Sequence, residues 1–310
     1  MPSHFGKYNY AICRRLSRST LIRDSSISEL ANIDRDENAK GKNKKGRKAD
    51  ISEIQSPPVR QAIDYDCANE ELNNLIATLR MLNVDVIELC PDEDLSYESI
   101  FIGDTAVTIN GLVLLCRPRC RLDEIREVKQ IIKSDLNLPI IEINDETAIL
   151  NGGDVLWTGR EIFVGLSQET NEAGARAVAA AFPEYPVTPV KVPPKENLRL
   201  KSYITMAGPD ILCVNRSQEA QSMLRRMERE ASFNYKLITV DDEQASNVLY
   251  LNGTLIHRNE PIDSVATFQD RIDFSRVPVK ISELTRNHRY HGVDSMCLLV
   301  RKSNRLHTIV

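Results

Sequence analysis

Thiols, the side chains best suited to nucleophilic attack or metal binding, are scattered along the 310 residues rather than grouped. The seven cysteines are Cys13, Cys67, Cys90, Cys116, Cys120, Cys213 and Cys297. Only Cys116 and Cys120 lie close together, and they form no C-x-x-C pair and have no histidine at ligand spacing. Because the number is odd and most cysteines sit in apolar runs, we expect reduced packing thiols, with no metal site.

Phosphate-binding loops and membrane segments are also missing from the sequence. Neither G-x-G-x-x-G nor G-x-x-x-x-G-K-[ST] occurs, so we expect no nucleotide and no other cofactor. A net charge of -4 gives no general attraction to nucleic acid or to anionic membranes, and neither is an expected partner. No apolar run reaches about 18 residues and the N-terminus has no signal-like stretch, which favours a cytoplasmic protein.

One segment, residues 36–58, differs from the rest in composition. It is rich in Lys, Gly and Asn, lacks aromatic residues and ends in Pro57-Pro58. Such a segment buries too little apolar surface to offset its ordering entropy, so we predict a disordered loop insertion. The alternative is a basic targeting or docking patch formed by Lys42, Lys44, Lys45, Arg47 and Lys48.

The remaining chain repeats one pattern: an apolar run, a Gly/Asn/Asp turn, a second apolar run and a helical segment. In the first clear copy, residues 100–109 turn at Asn110-Gly111 into residues 112–116, and an amphipathic helix follows over 122–134. Asn-Gly between two apolar runs is a strong hairpin signal. Further copies occupy residues 154–181, 202–230 and 247–272, with partial copies at 8–13 and 295–301.

Repeats of this kind cannot each bury a hydrophobic face alone. They must pack around a common axis with sheets inward and helices outward, which predicts a closed, propeller-like α/β architecture. The rival fold is a doubly wound parallel sheet. It is disfavoured because it would lack the repeated hairpins and would usually contain a glycine-rich first turn.

Three stretches of the sequence carry a family resemblance. They are Phe101-Ile-Gly-Asp104, residues 150–167 with the string GGDVLWTGREIFVGLS, and residues 200–209. Together they resemble the dimethylargininase (dimethylarginine dimethylaminohydrolase) family of the guanidine-modifying, or pentein, superfamily. The resemblance extends from about residue 8 to about residue 301. It implies a five-module ββαβ propeller as a single domain over residues 1–310.

The resemblance implies a reaction that this sequence is poorly equipped to perform. The family converts methylated arginine to citrulline through a cysteine thiolate, a histidine acid/base and an orienting aspartate. The matching positions hold Met296, Arg199 and Asn151. A thioether forms no thiolate, a guanidinium has no acceptor lone pair, and an amide carries no charge. We therefore predict that no catalytic residue is intact.

Substrate-binding positions are altered as well. The resemblance assigns Phe101, Gly103, Asp104, Arg121 and Glu169 to the pocket. The family's acidic pair is Gly103-Asp104 here, so one of the two carboxylates that would hold a guanidinium is lost. Glu169 stands where the family has an arginine that clamps the substrate carboxylate, which reverses the charge.

Cys297, one residue after Met296, is the best replacement nucleophile, and His288 and His291 lie just upstream as candidate bases. Adjacent side chains of a regular strand face opposite sides, however, so Cys297 is predicted to point away from the pocket. His288 and His291 lie in a polar Arg/Asn/Tyr stretch and are predicted to be solvated surface residues.

The leading hypothesis is a catalytically inactive relative that retains the fold and a small-molecule pocket. Its ligand would be small and amino-acid-like, and any protein partner is unknown. The alternative is an active hydrolase that converts methylated arginine, or a related amidine or ureido amino acid, to citrulline and methylamines in arginine and nitric-oxide metabolism. A third reading is a purely structural role with residues 36–58 as a docking element.

Overall fold

Five copies of one three-stranded unit form the described chain. The computed structural model describes residues 6–21, 61–119, 121–194, 198–288 and 290–302. The proposed insertion at 36–58 and Cys120 lie outside these residues. The insertion and the single-domain boundaries therefore stay predictions.

Each unit has the same pairing pattern. An inner strand pairs antiparallel with a middle strand, and the middle strand pairs parallel with an outer strand. The parallel pair requires a crossover, and a helix supplies it in every unit. The repeat pattern predicted the hairpin and the helix, and the family resemblance implied the complete ββαβ unit.

Four units follow one another along the chain, and their bounds are as follows. They are β3 (Ala106–Ile109), β4 (Leu112–Leu115), α2 (Leu122–Ser134) and β5 (Ile140–Ile141); β6 (Val155–Trp157), β7 (Ile162–Leu166), α3 (Glu172–Ala181) and β8 (Val187–Lys191); β9 (Ile204–Gly208), β10 (Ile211–Asn215), α4 (Gln218–Glu230) and β11 (Lys236–Val240); β12 (Leu249–Leu251), β13 (Thr254–Arg258), α5 (Ile262–Arg271) and β14 (Ser275–Val279).

The fifth unit joins the two ends of the described chain. Strand β15 (Leu298–Val300) pairs antiparallel with β1 (Tyr10–Arg14), which pairs parallel with β2 (Asp85–Leu89) after helix α1 (Tyr65–Met81). The two partial copies in the sequence are thus halves of one unit. This closure confirms the five-module α/β propeller.

Local sequence signals explain the hairpins and helix starts. Asn110 and Gly111 have φ of 51° and 86°, and Asn252 and Gly253 have 49° and 93°. Two successive residues with positive φ form the turn type that matches strand twist. Helix α3 begins where Asn171 Oδ1 accepts a hydrogen bond from the Gly174 amide at 2.9 Å.

The helices pack outside the sheets through one apolar face. In α2, Ile125, Val128 and Ile132 are buried at spacings of three and four residues, as the amphipathic pattern predicted. Helix α1, in contrast, was not singled out by the repeat pattern. None of the helices in the described ranges is long and apolar enough to cross a membrane.

The strand predicted to begin at Ile100 begins only at Ala106, because 3₁₀ turns occupy the intervening residues. A short 3₁₀ turn precedes every inner strand. The turns are Ile102–Asp104, Gly152–Asp154, Leu200–Ser202, Gln244–Ser246 and Val293–Met296. Most of the residues that the sequence singled out lie in these turns or directly beside them.

Candidate active site

Turns from different units pack backbone against backbone near the ring axis. A Cβ on Gly103 would lie 2.7 Å from the Asp294 carbonyl oxygen and 2.9 Å from that of Cys297. A Cβ on Gly152 would lie 2.7 Å from the Gly103 carbonyl oxygen. Both distances are too short for a side chain, so glycine is required. The carboxylate that the family resemblance implies at position 103 therefore has no room here.

Asp104 and Arg199, from two different units, form a buried ion pair. Arg199 Nη1 donates to Asp104 Oδ2, and the two residues are only 5% and 3% exposed. The Arg199 stem crosses Gly153, where a Cβ would lie 2.8 Å from Cδ of the arginine. Burial alone would raise the pKa of Asp104, but Arg199 and the His291 hydrogen bond outweigh it and hold this pKa well below its usual range.

His291 completes the same cluster. Its Nε2 lies 3.3 Å from Asp104 Oδ2, and its ring stacks on Phe101 with centroids 3.8 Å apart. Burial, followed by the nearby Arg199 charge, lowers the pKa of His291 to about 3. The imidazole is therefore neutral near pH 7, and the short contact requires the tautomer that carries hydrogen on Nε2.

The prediction that His288 and His291 are solvated surface residues is wrong. His291 is buried, and the His288 ring packs against Tyr97 and Phe101 with centroids 5.4 Å and 5.3 Å away. Their polar neighbours in sequence favoured a surface loop. The aromatic partners that draw both rings inward are about 190 residues away in the chain, so local composition carried no signal of them.

Helix α1 holds the loop that carries these histidines. Glu71, buried on α1, accepts hydrogen bonds from the backbone amides of Glu283 and Leu284 at 2.9 Å and 3.0 Å. The Tyr97 hydroxyl donates to the Leu284 carbonyl oxygen at 2.9 Å. Sequence reasoning missed Glu71, because a lone acid in a helix normally indicates a solvated face.

Asn151 and Asp154 stabilise the turn in which they lie. Asn151 Oδ1 accepts from the Gly153 amide at 2.8 Å, as an N-cap does. Asp154 accepts from the Ser167 hydroxyl at 2.6 Å and from the Leu200 amide at 2.9 Å. Burial raises the pKa of Asp154 to about 6, against the effect of these hydrogen bonds. Asp154 thus satisfies a buried backbone donor.

Arg121 reaches the centre, whereas Glu169 does not. Arg121 donates to Glu124 from Nε at 2.8 Å and from Nη2 at 2.6 Å, and its Nη1 lies 3.8 Å from Asp104 Oδ2. Glu169 is half-buried, and its amide donates to the Ser167 hydroxyl oxygen at 2.9 Å. Within the described ranges, no hydrogen bond or ion pair joins Glu169 to Asp104 or Arg199.

Met296 and Cys297 both belong to one buried apolar cluster, and Cys297 also borders a cavity. Met296 is buried in an apolar cluster that includes Phe101 and Val293. Cys297 lies on the wall of a cavity at the propeller axis, and none of the described residues lining that cavity is a histidine. Burial, with smaller contributions from Cys13 and Asp294, raises the pKa of Cys297 well above its usual value. The thiol is therefore protonated, and the Asp294 carboxylate lines the same cavity.

In the cluster around Asp104, the carboxylate lies between the Arg199 and Arg121 guanidinium groups and the neutral His291 imidazole. Such a group can hold a guanidinium, and here it holds the chain's own. Across the described residues, no group of His, Cys, Asp and Glu side chains is arranged to bind a metal ion. The chemistry of the centre is thus charge pairing, with no thiolate in contact.

Sequence comparisons identify relatives over most of the chain. The family model for eukaryotic N,N dimethylarginine dimethylhydrolase matches residues 46–274. The putative hydrolase DDAH2 of Homo sapiens is 36% identical over 259 residues, covering 80% of this chain and 88% of that protein. The dimethylarginine dimethylaminohydrolase of Streptomyces coelicolor is 31% identical over 153 residues, covering 49% and 58% of the respective chains.

Solved structures show the same fold. A dimethylarginine dimethylaminohydrolase mutant from Pseudomonas aeruginosa, complexed with citrulline, gives a TM-score of 0.69 at 20% identity and covers 95% of this chain and all of its own. The substrate-bound N-terminal domain of a cyanobacterial arginine dihydrolase gives 0.66 at 15% identity, covering 76% and 88%. With the family match and the five closed ββαβ units, the chain belongs to the dimethylarginine dimethylaminohydrolase family.

Proposed function

We propose that this protein is a family member without amidine hydrolase activity, in which Arg199 occupies the place of the substrate guanidinium on Asp104. The buried Asp104–Arg199 ion pair carries this proposal. By family resemblance, Asp104 is the remaining carboxylate that would hold a guanidinium. Here a guanidinium from the chain itself is its partner.

Displacing Arg199 would be costly. Its side chain is 6% exposed, so an entering substrate would leave a buried cation without its anion. Removing one partner of a buried pair typically costs about 3–5 kcal/mol. A methylated arginine would also bring a third positive charge next to Arg199 and Arg121, which are already close to Asp104.

The proton chemistry supports the same conclusion. Covalent catalysis needs a nucleophile within hydrogen-bond reach of a base. His291 is neutral, but its ring contacts Asp104, Phe101 and His288 rather than a thiol. Cys297 lines the cavity at the propeller axis, which His291 does not border, and its pKa is raised.

A small amino-acid-like ligand remains part of this proposal. The Pseudomonas relative was solved with citrulline, whose side chain is uncharged. Beside Arg199, a zwitterionic or anionic ligand is favoured over a cationic one. Six cysteines within the described ranges are free, which supports a reducing, cytoplasmic setting.

Citrulline release from asymmetric dimethylarginine tests the proposal, with the Pseudomonas enzyme as the positive control. We expect no turnover by this protein and no change in the Cys297→Ala variant. Turnover that Cys297→Ala abolishes would establish the active-hydrolase alternative. Alkylation with an arginine analogue gives an independent readout, because a mass adduct on Cys297 requires a reactive thiol at the substrate site.

A restoration experiment tests which residues account for the inactivity. We expect the triple variant Asn151→Asp, Arg199→His and Met296→Cys to release citrulline slowly. Single variants should stay silent, because a nucleophile, its base and the orienting group act as a unit. Position 103 should not be changed in this design, because the neighbouring carbonyl oxygens leave no room for a side chain.

A further inference from the structure

A second site lies on the propeller axis, apart from the Asp104 cluster. The inner strands of all five units wall a cavity of about 110 Å³. Its lining includes Tyr8, Trp157, Lys201, Tyr250 and Asp294, together with Gly103 and Gly152. Asp104, Arg199 and His291 are not among the lining residues. The close-packed backbones of the two glycines lie between the cavity and that cluster.

One fixed cation and one fixed anion meet in this cavity. Lys201 Nζ lies 2.9 Å from Asp294 Oδ2, and the two side chains are 19% and 22% exposed. A lysine ammonium has three donors and a carboxylate can accept about four hydrogen bonds. Within the described chain neither side chain makes a second hydrogen bond or ion pair, so both ions have unused bonding capacity.

The two charges are held in place by their backbones. Asn247 Nδ2 donates to the Lys201 carbonyl oxygen at 3.1 Å, and Asn247 Oδ1 accepts from the Asp294 amide at 3.1 Å. One buried side chain thus joins the turns that carry both ions. A Cβ on Gly292 would lie 2.4 Å from Asn247 Oδ1, so this junction is closely packed. Such preorganisation lowers the entropic cost of binding a small ligand.

We propose that the axial cavity binds a small zwitterionic α-amino acid, with its carboxylate on Lys201 and its ammonium on Asp294. A zwitterion supplies a second partner to each of the two ions at once and leaves neither protein charge unpaired. Tyr8, Trp157 and Tyr250 enclose it with aromatic surface. A cavity of about 150 Å³ holds benzene, so this smaller one admits glycine or alanine and excludes phenylalanine.

Trp157 provides the measurement, because it is the single tryptophan of the chain and lies on the cavity wall. Titration of the full chain with glycine or L-alanine should change its fluorescence saturably. L-phenylalanine, acetate and methylammonium should not. Lys201→Met and Asp294→Asn should each weaken binding about tenfold or more. Arg216→Met, which removes an exposed ion pair with Asp241, is the matched control and should leave binding unchanged.

Three results would overturn the proposal. They are no saturable signal in the wild type, a signal that survives both cavity variants, and a signal from acetate or methylammonium as large as that from glycine. If either variant does not fold, magnetisation transfer from wild-type aromatic protons to the glycine α-protons decides the question, and its absence overturns the proposal. Neither readout depends on whether the protein hydrolyses methylarginine.

Discussion

The Asp104 cluster and the axial cavity are built from residues that are neighbours in sequence, yet their ion pairs differ in burial. Asp104 follows Gly103, Arg199 lies two residues before Lys201, and both sites join turns from different units. In the cluster the opposite charges are buried and paired with each other. In the cavity the Lys201–Asp294 pair remains partly exposed.

The comparison indicates that the burial of an ion pair determines whether its charges are available to a ligand. A deeply buried pair is fixed, because losing either partner leaves an uncompensated charge. A partly exposed pair contributes little to stability and stays available to a ligand. On the two proposals above, the first arrangement occupies the place of a substrate, and the second leaves a ligand site open.

The largest expected effect comes from removing each anion in turn. Asp104→Asn should lower the free energy of unfolding by about 3–5 kcal/mol, because Arg199 is left buried without its anion. Asp294→Asn should cost about 1 kcal/mol or less. Urea denaturation at pH 7 measures both. Similar losses in the two variants would refute the distinction between the sites.

Arg199→Met should make stability strongly pH-dependent. In the wild type the pKa of Asp104 is lower in the folded chain than in the unfolded one, so its ionised form stabilises above about pH 4, and this stabilisation is lost as pH falls. Without Arg199, burial favours the neutral acid. The variant should lose about 3 kcal/mol relative to the wild type at pH 7 and much less near pH 3.

Urea denaturation of the Arg199→Met variant across this pH range supplies the test. Arg216→Met serves as the control, because its exposed pair with Asp241 predicts a flat difference from the wild type. A difference between Arg199→Met and the wild type that stays constant from pH 3 to pH 7 would contradict the assigned role of Asp104.

Asp154 should show the opposite pH response from Asp104. Its pKa is raised to about 6 in the folded chain, so its contribution is present below about pH 4 and is lost as pH rises through 6. Asp154→Asn keeps an acceptor for the Leu200 amide without the charge. The variant should gain about 2 kcal/mol relative to the wild type between pH 4 and pH 7. An unchanged difference would show that Asp154 is ionised throughout.

The smallest effect concerns thiol reactivity. Cys67 and Cys90 are exposed, whereas Cys297 is buried and its pKa is raised. Iodoacetamide at pH 7.5 should therefore label Cys297 roughly tenfold more slowly than Cys90. Mass spectrometry of timed digests measures the rates. Preferential labelling of Cys297 would show an activated thiol in the axial cavity and would support the active-hydrolase alternative.

The sequence by itself determined the repeating unit, and by family resemblance it predicted the loss of catalytic side-chain types. Asn110-Gly111 predicted a hairpin, and the apolar spacing within 122–134 predicted helix α2. Both predictions were possible because these elements depend on residues close together in the chain. The types at Asn151, Arg199 and Met296 are equally plain from the sequence, since proton chemistry belongs to the side chain itself.

Only the tertiary structure decided which of these residues meet. Asp104 and Arg199 are separated by 95 positions, and His291 reaches Asp104 across 187. The lack of space at Gly103 depends on carbonyl oxygens from another unit. Such contacts arise when five units close into a ring, and no local periodicity encodes them. That closure brings the Arg199 guanidinium to Asp104.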